Sequence, residues 1–412
     1  MRHRAGIFLG LAAALGQPAA LAAQEAPAPA SVWRSWNQLD ASWIDLQLHI
    51  TAMLDGAFFS QNAANVEQVG DLGPRKEFRL ENLELDGQLL APFPWRFQIA
   101  AEYDGADQKN GQRGWSLSDL NVSIPLGRFC AVTIGNQSEG VTLERLASSE
   151  DLSFMERSTM SSALTIPRNT GVRFTGTAAG QRINWSAGWY NGWLTNVYSF
   201  SESGNVVNAR VAGLPVDSGD GRRLVHLGVW GSWAEAQAGA AHTRSRPEVY
   251  EAPYFVDTGS YPSDHGTALG FELAAVHGPV TLTAEYTKGK TDAAQVGDPS
   301  FSAWYVQGSW ALTGETRPYN RSGGYFGQLQ PFCPFTFKYG GPGAFEAAVR
   351  YSWIDLDSKA VRGGKFDRIS GALSWFATGE WRVEFNYGYG RLERFGLSGR
   401  THFYQLRLQW EI

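Results

Sequence analysis

Cysteine is nearly absent from this chain, with only Cys130 and Cys333 among 412 residues. A disulfide-built scaffold and a cysteine-ligated zinc cluster are thereby excluded. Charged residues make up 18%, and 35 Lys and Arg face 40 Asp and Glu, so there is no basic excess. Nucleic-acid recognition calls for clustered positive charge, and no nucleic-acid partner is expected. Charge this sparse does not suit a long solvated helix or coiled coil, and a 43% hydrophobic content excludes disorder. Beyond the N-terminus no apolar run approaches the ~18 residues of a membrane-spanning helix. A mean hydropathy of −0.27 agrees. That value leaves a transmembrane β-barrel open, because barrel strands are apolar on one face only.

The N-terminus has the order of a secretory signal peptide. Arg2 and Arg4 precede an apolar stretch from Ile7 to Leu15, followed by Ala20, Leu21 and Ala22. Residues 1–23 are therefore expected to be removed on export, with residues 24–43 as a leader segment and 44–412 as the folded domain. With Arg2 and Arg4 gone, 35 basic residues become 33 against 40 acidic ones, and the formal charge goes from −5 to −7.

What the chain has in abundance is alternation. Ile44, Leu46, Leu48, Ile50, Ala52 and Leu54 share one face of an extended segment, and Asp45, Gln47, His49 and Thr51 share the other. The period of 2 recurs in Trp95–Asp104, Arg182–Trp189, Val280–Thr287, Phe345–Trp353, Trp381–Tyr389 and Tyr404–Ile412. These segments exceed the ~5–6 residues of ordinary strands. Trp and Tyr stand near their ends on the apolar face, as aromatic girdles at a membrane interface require. The polar face carries charges of both signs, which suits a wet lumen. The expected fold is all-β, a transmembrane antiparallel barrel of sixteen strands, with eighteen as the other count. Alternation through the last residue fits a final strand that closes on the first, since an open edge in lipid leaves backbone groups unpaired.

Three connections are too long for simple turns: Ser138–Asn169 after the fifth strand, Gln237–Asp264 after the ninth, and Gly314–Gly343 on the opposite side. Long irregular segments are often functional. In a barrel wide enough to leave a channel, their expected use is to fold into the lumen and narrow it. Cys130 and Cys333 fall at one rim, and a disulfide between them is a candidate in an oxidising compartment. Catalysis finds no support. The histidines beyond residue 23 lack metal-ligand spacing, and neither a Gly-x-Ser-x-Gly nor a His-Glu-x-x-His motif occurs. No cofactor or metal is expected.

Four pieces in order resemble one family. They are Glu144–Ser158 (ERLASSEDLSFMERS) with Pro167–Val172 (PRNTGV), Arg246–Tyr250 (RPEVY) with Phe255–Gly259 (FVDTG), Leu312–Tyr319 (LTGETRPY), and Gly343–Ser352 (GAFEAAVRYS). The chain from about residue 44 onward resembles the phosphate-selective porins O and P. The resemblance implies a homotrimer of sixteen-stranded barrels in the bacterial outer membrane, in contact with its lipid. It also implies passive passage of small anions, phosphate or polyphosphate among them, through a narrowed, positively lined pore. A general porin for small polar solutes and a non-transport surface protein are the alternatives.

Anion passage needs fixed cations at the water column, and Arg suits phosphate because its planar fork donates two hydrogen bonds. The candidates are Arg145, Arg157 and Arg168 in the first long connection, Arg244 and Arg246 in the second, and Arg317, Arg321 and Lys338 in the third. Arg350 and Arg382 join them from the wall, with Arg96, Arg182 and Arg407 on the same lumen-facing alternation. Acids share these segments: Glu144, Glu150, Asp151 and Glu156 lie in the first connection, and Glu102, Glu272, Glu285, Glu346 and Glu384 on the wall. Pairing with them is the ordinary fate of such arginines.

Overall fold

A computed structural model describes residues 32–90, 92–104, 114–127, 129–191, 203–338 and 340–412. The expected signal peptide, and residues 24–31 of the leader, lie outside the described residues. Each alternating segment forms a strand. The wall runs β1 (Ile44–Gln61), β2 (Arg75–Leu89), β3 (Arg96–Asp104), β4 (Gly114–Pro125), β5 (Cys130–Ser138), β6 (Arg168–Ala178), β7 (Ile183–Asn191) and β8 (Ser203–Asp217). It continues through β9 (Arg223–Ala236), β10 (His265–His277), β11 (Val280–Asp292), β12 (Ser300–Ala311), β13 (Ala344–Ser358), β14 (Val361–Phe376), β15 (Trp381–Arg394) and β16 (Leu397–Glu411). Each strand pairs antiparallel with the next, and β16 pairs with β1 from Thr401↔Gln61 to Glu411↔Thr51. The 18-stranded sheet is thus a closed barrel of sixteen strands plus a two-stranded hairpin.

That hairpin, Val32–Ser35 with Gln38–Asp40, pairs with β1 from Gln38↔Gln47 to Asp40↔Asp45. Ile412 exchanges backbone hydrogen bonds with Ile50, so β16 ends where the hairpin begins. The hairpin covers the stretch of β1 edge that β16 does not reach, which removes an unpaired ladder. Residues 32–40 of the expected leader are therefore part of the sheet.

Alternation sets the two faces. On β1, Leu54 and Phe58 are exposed on the exterior, whereas Met53, Asp55 and Ala57 are buried inside. On β16, Tyr404, Leu406 and Leu408 face out while Phe403, Gln405, Arg407 and Gln409 face in. Trp304, Tyr351 and Trp353 cluster on the exterior toward one rim, and Trp381 and Trp410 meet on the rim that carries the C-terminus. An apolar band with aromatic edges matches a bilayer and its two interfaces. Apart from the connection 312–343, turns on the C-terminal rim are short. Gly278 and Pro279 alone join β10 to β11, and Gly278 takes φ +56°, a left-handed conformation that Gly adopts without strain.

Candidate functional site

The loop 139–167 leaves the wall between β5 and β6 and crosses the barrel. Its contacts include residues on β2, β7, β8, β11, β13, β15 and β16, and β13 stands eight strands from β5 in the ring. Leu143 N and Glu144 N donate to the Glu285 carboxylate on β11, both at 2.9 Å. Glu144 reaches Arg350 on β13, Arg382 on β15 donates to the Glu150 carbonyl, and Arg407 on β16 donates to the Met155 carbonyl. Glu156 lies 2.7 Å from Arg79 on β2 and 3.0 Å from Arg407. Five residues of one loop thus touch walls that the alternation pattern places far apart.

Local chemistry shapes the loop. Thr142 caps α1 (Leu143–Leu146) by accepting from Arg145 N, and Ser158 caps α2 (Thr159–Leu164) by accepting from Ser161 N. One Glu144 carboxylate accepts from Ser158 N, Ser158 Oγ and Ser161 Oγ, which ties the two turns together. Thr142 sits at φ +64° and Glu248 at φ +60°. A branched side chain at positive φ is strained, and such strain persists where surrounding contacts over-determine the backbone.

The loop 237–264 also enters the lumen. Its Glu248 accepts from Arg350 Nη2 at 2.6 Å and from Thr159 N of the first loop at 3.3 Å. Arg368 on β14 donates to the Pro247 and Glu248 carbonyls, and Arg394 on β15 to those of Phe255 and Asp257. From the opposite rim, connection 312–343 reaches β8 and β9. Arg210 donates to the Gly324 carbonyl, Arg321 pairs with Asp217, and Tyr319 Oη lies 2.6 Å from His226 Nδ1. His226 is buried between Tyr319 and Glu272, which is a structural tie.

These three segments divide the lumen. Inward residues of β11 and β13–β16 are covered: Thr283, Glu285, Arg350, Ser352, Arg368, Ser370, Arg382, Glu384, Gln405 and Arg407 are all buried. Inward residues of β1 and β2 nearer the C-terminal rim, and Arg168 at the start of β6, retain solvent, whereas Thr51, Asp55, Glu77 and Arg79 are buried. The Asp86 side chain is 45% exposed, Arg168 41% and His49 36%. The solvent-exposed inward side chains Asp86, His49 and Arg168 thus all stand on the β1–β6 side of the lumen. A separate, partly open cavity of about 50 Å³ lies on the loop's other side, among Leu143, Ser153, Thr283, Tyr305, Arg317 and Arg350.

The arginines expected to meet solute fall into distinct groups. Arg317 pairs with Glu346, Arg321 with Asp217, Arg382 with Glu384, and Arg350 with Glu144 and Glu248. Arg407 on the wall is held likewise by Asp55. Arg244 lies over the Tyr254 ring and Arg246 over Tyr250 and Tyr254. Arg168 divides its guanidinium between Glu102 and Asp119. Arg96 and Arg182 are exposed, Arg182 donating to the Asp217 carbonyl, and Lys338 is exposed in the third connection.

Arg145 and Arg157 have no carboxylate within 4 Å among the described residues, which they share with Arg96, Arg182 and Arg244, but unlike Arg96 and Arg182 they are not exposed. Arg145 donates to Thr165 Oγ1 and the Ser161 carbonyl, and Arg157 to the carbonyls of Glu144 and Ala147. Burial, and then the neighbouring Arg157, pull Arg145 down to about 9. Arg173 on β6 is a third such cation, half-buried and donating to the Ser138 carbonyl. The sequence reading passed over it, although its place between the outward Val172 and Phe174 was the available signal. Arg79, Arg210 and Arg368 on the wall were missed in the same way.

The Cys130–Cys333 disulfide is not formed, and both thiols are free. Cys130 opens β5, whereas Cys333 stays beside β13 and β14, where its carbonyl accepts from Gly343 N and Phe335 N donates to Ala377. One rim holds both residues, on opposite walls. Carboxylate oxygens of Asp55, Glu77 and Glu251 gather within 4.8 Å of one another. Arg79 and Arg407 on Asp55 already bring the positive charge that a metal ion would supply.

Comparison with known proteins agrees with this architecture. A family model described as phosphate-selective porin O and P matches residues 57–412. An uncharacterized protein of Caulobacter vibrioides is 29% identical over 284 residues, covering 66% of this chain and 56% of its own length. This chain thus spans little more than half of that relative. The anion-selective porin from Comamonas acidovorans superposes with a TM-score of 0.56 at 13% identity, over 90% of this chain and 100% of that one. A trimer form of OmpT, an outer membrane protein of Vibrio cholerae, gives a TM-score of 0.54 at 10% identity, with 90% and 100% covered. At these identities the solved structures speak for the fold.

Proposed function

The chain belongs to the phosphate-selective porin O and P family, and from that premise we propose that its passage conducts small anions through Arg145, Arg157 and Arg173. The family and fold are those of an outer-membrane channel rather than an enzyme. The observation that carries the anion reading is the lack of carboxylate partners on these three guanidiniums, beside a lumen where other arginines are neutralised in pairs. Cations without a fixed counter-charge in a low-dielectric constriction attract mobile anions. Phosphate is the anion that the planar guanidinium fork suits best. Three such channels per assembly follow if the chain trimerises as in the trimer form of the Vibrio cholerae protein. Export through a signal peptide at residues 1–23 completes the reading.

Reversal potentials in planar bilayers under a KCl gradient test this. The wild type should favour chloride over potassium, and Arg157→Ala should lower the permeability ratio severalfold without changing barrel assembly on gels. A wild-type channel that favours potassium would end the anion reading.

A further inference from the structure

We infer that the exterior of β10–β12, at its outer-leaflet end, is a docking site for the phosphorylated sugar headgroup of a membrane glycolipid of the lipid A class. β11 starts at the C-terminal rim, where Gly278 and Pro279 join it to β10, and runs toward the rim that bears the loops 139–167 and 237–264. In bacterial outer-membrane barrels short turns face the periplasm and long loops the outside, so the far end of β11 lies in the outer leaflet. Its outward side chains run in the order Val280, Leu282, Ala284, Tyr286, Lys288 and Lys290, alternating with inward residues such as Glu285, Thr287 and Gly289. On β10 the apolar part is matched by Leu273, Phe271 and Leu269, all exposed. Tyr286 stands opposite Phe271 and Trp304 in the ladder, and Trp304 belongs to the exterior aromatic cluster with Tyr351 and Trp353. Such a girdle marks the boundary between acyl chains and headgroups. Lys288 and Lys290 are the next two outward positions beyond it.

Their charge is not balanced by the protein. Lys288 stands opposite Leu269 and Ser302, and Lys290 opposite Thr267 and Ser300, so no acid faces either across the ladder. Neither has a carboxylate within 4 Å among the described residues. The acids nearby are engaged elsewhere. Asp292 lies 3.5 Å from His265 and Asp355 2.9 Å from Lys365, while Glu235 accepts from Asn205 Nδ2 at 2.7 Å and Asp298 from Ala293 N at 2.9 Å. An uncompensated pair of ammonium groups at the membrane surface attracts anionic headgroups. Successive outward positions lie about 7 Å apart, and the flexible stems let both ammoniums close on one phosphate. A phosphomonoester carries about −1.5 to −2 charge, which two lysines match better than they match the single charge of a phosphodiester. The sugar finds hydroxyls on Ser300 and Ser302, and a flat apolar face on the exposed Trp233, which pairs with Thr267 on the other side.

The test is native mass spectrometry of the detergent-solubilised wild-type protein, titrated with diphosphoryl lipid A and with the same lipid stripped of both phosphates. The wild type should bind the diphosphoryl form about thirtyfold more tightly, and Lys288→Gln/Lys290→Gln should lose that margin. Lys288→Arg/Lys290→Arg should bind as the wild type does. Equal binding of the two lipids by the wild type, or undiminished binding by the glutamine variant, overturns the inference. Loss of binding in the arginine variant does the same, as does phosphatidylglycerol binding as tightly as diphosphoryl lipid A. Folding of each variant is checked by its mobility on gels with and without heating. If the glutamine variant does not fold, the lipid comparison on the wild type and the arginine variant still decides. Both lysines stand outside the lumen, so the outcome is independent of the anion reading.

Discussion

Replacing Arg350 by methionine should detach both inward loops from the wall and leave the wall itself standing. Arg350 is 3% exposed and joins three segments. Its Nη2 lies 2.6 Å from Glu248 and 2.9 Å from the Glu156 carbonyl, and its Nη1 lies 3.4 Å from Glu144. The guanidinium also lies over the Phe154 ring, 4.3 Å from its centre. Methionine keeps the unbranched bulk and removes the charge and every donor. Removing one partner of a buried ion pair costs about 3–5 kcal/mol, because the remaining carboxylates are left buried without compensation. The backbone ladders of β12, β13 and β14 do not depend on this side chain, so the loss falls on loop docking. It lowers the ratio of docked to undocked loop by about two to three and a half orders of magnitude at 1.4 kcal/mol per tenfold. Single-channel recording should show higher unit conductance and more open-channel noise, with unchanged mobility of the folded barrel on gels. Adding Glu248→Gln removes one orphaned charge, and the double variant should lie closer to wild type than the sum of the single effects. Unchanged conductance together with a lowered chloride preference would refute this reasoning, because it would make Arg350 a solute contact instead of a tether.

Two further outcomes concern the same loops and rim. Burial pushes Glu139 up to about 7 against hydrogen bonds from Asn169 and Asn208, and Asp151 and Glu251 are also raised to about 7, chiefly by burial. A carboxyl raised on folding binds its proton more tightly in the docked loop, so docking is favoured at low pH and weakens as pH climbs from about 4.5 through 7. Channel noise should rise between pH 5 and pH 8, and Glu139→Gln should flatten part of that rise; noise that falls with pH would contradict the assignment. At the C-terminal rim, the exposed Cys333 should react with a maleimide faster than the half-buried Cys130. Masses measured with and without reductant should agree, and a 2 Da difference would show a disulfide that the geometry denies.

Strand identity was legible from residue order because facing in a strand depends on parity alone. The alternation at Trp381–Tyr389 or Val280–Thr287 needs no knowledge of distant residues, and the sixteen segments found that way are the strands of the wall. The long connections announced themselves by the same rule, as the places where parity fails. Which arginines face solute could not be read this way. Arg350 and Glu144 are 206 positions apart, and Arg407 and Asp55 are 352 apart. Each pair meets because the ring closes and a loop crosses it. A guanidinium's partner is set by three-dimensional approach over a few ångströms, and composition around Arg145 or Arg317 carries no trace of it. The barrel and its inward segments were therefore determined by local periodicity. The unpaired cations, the covered half of the lumen and the separation of the two cysteines were decided only once the chain had closed upon itself.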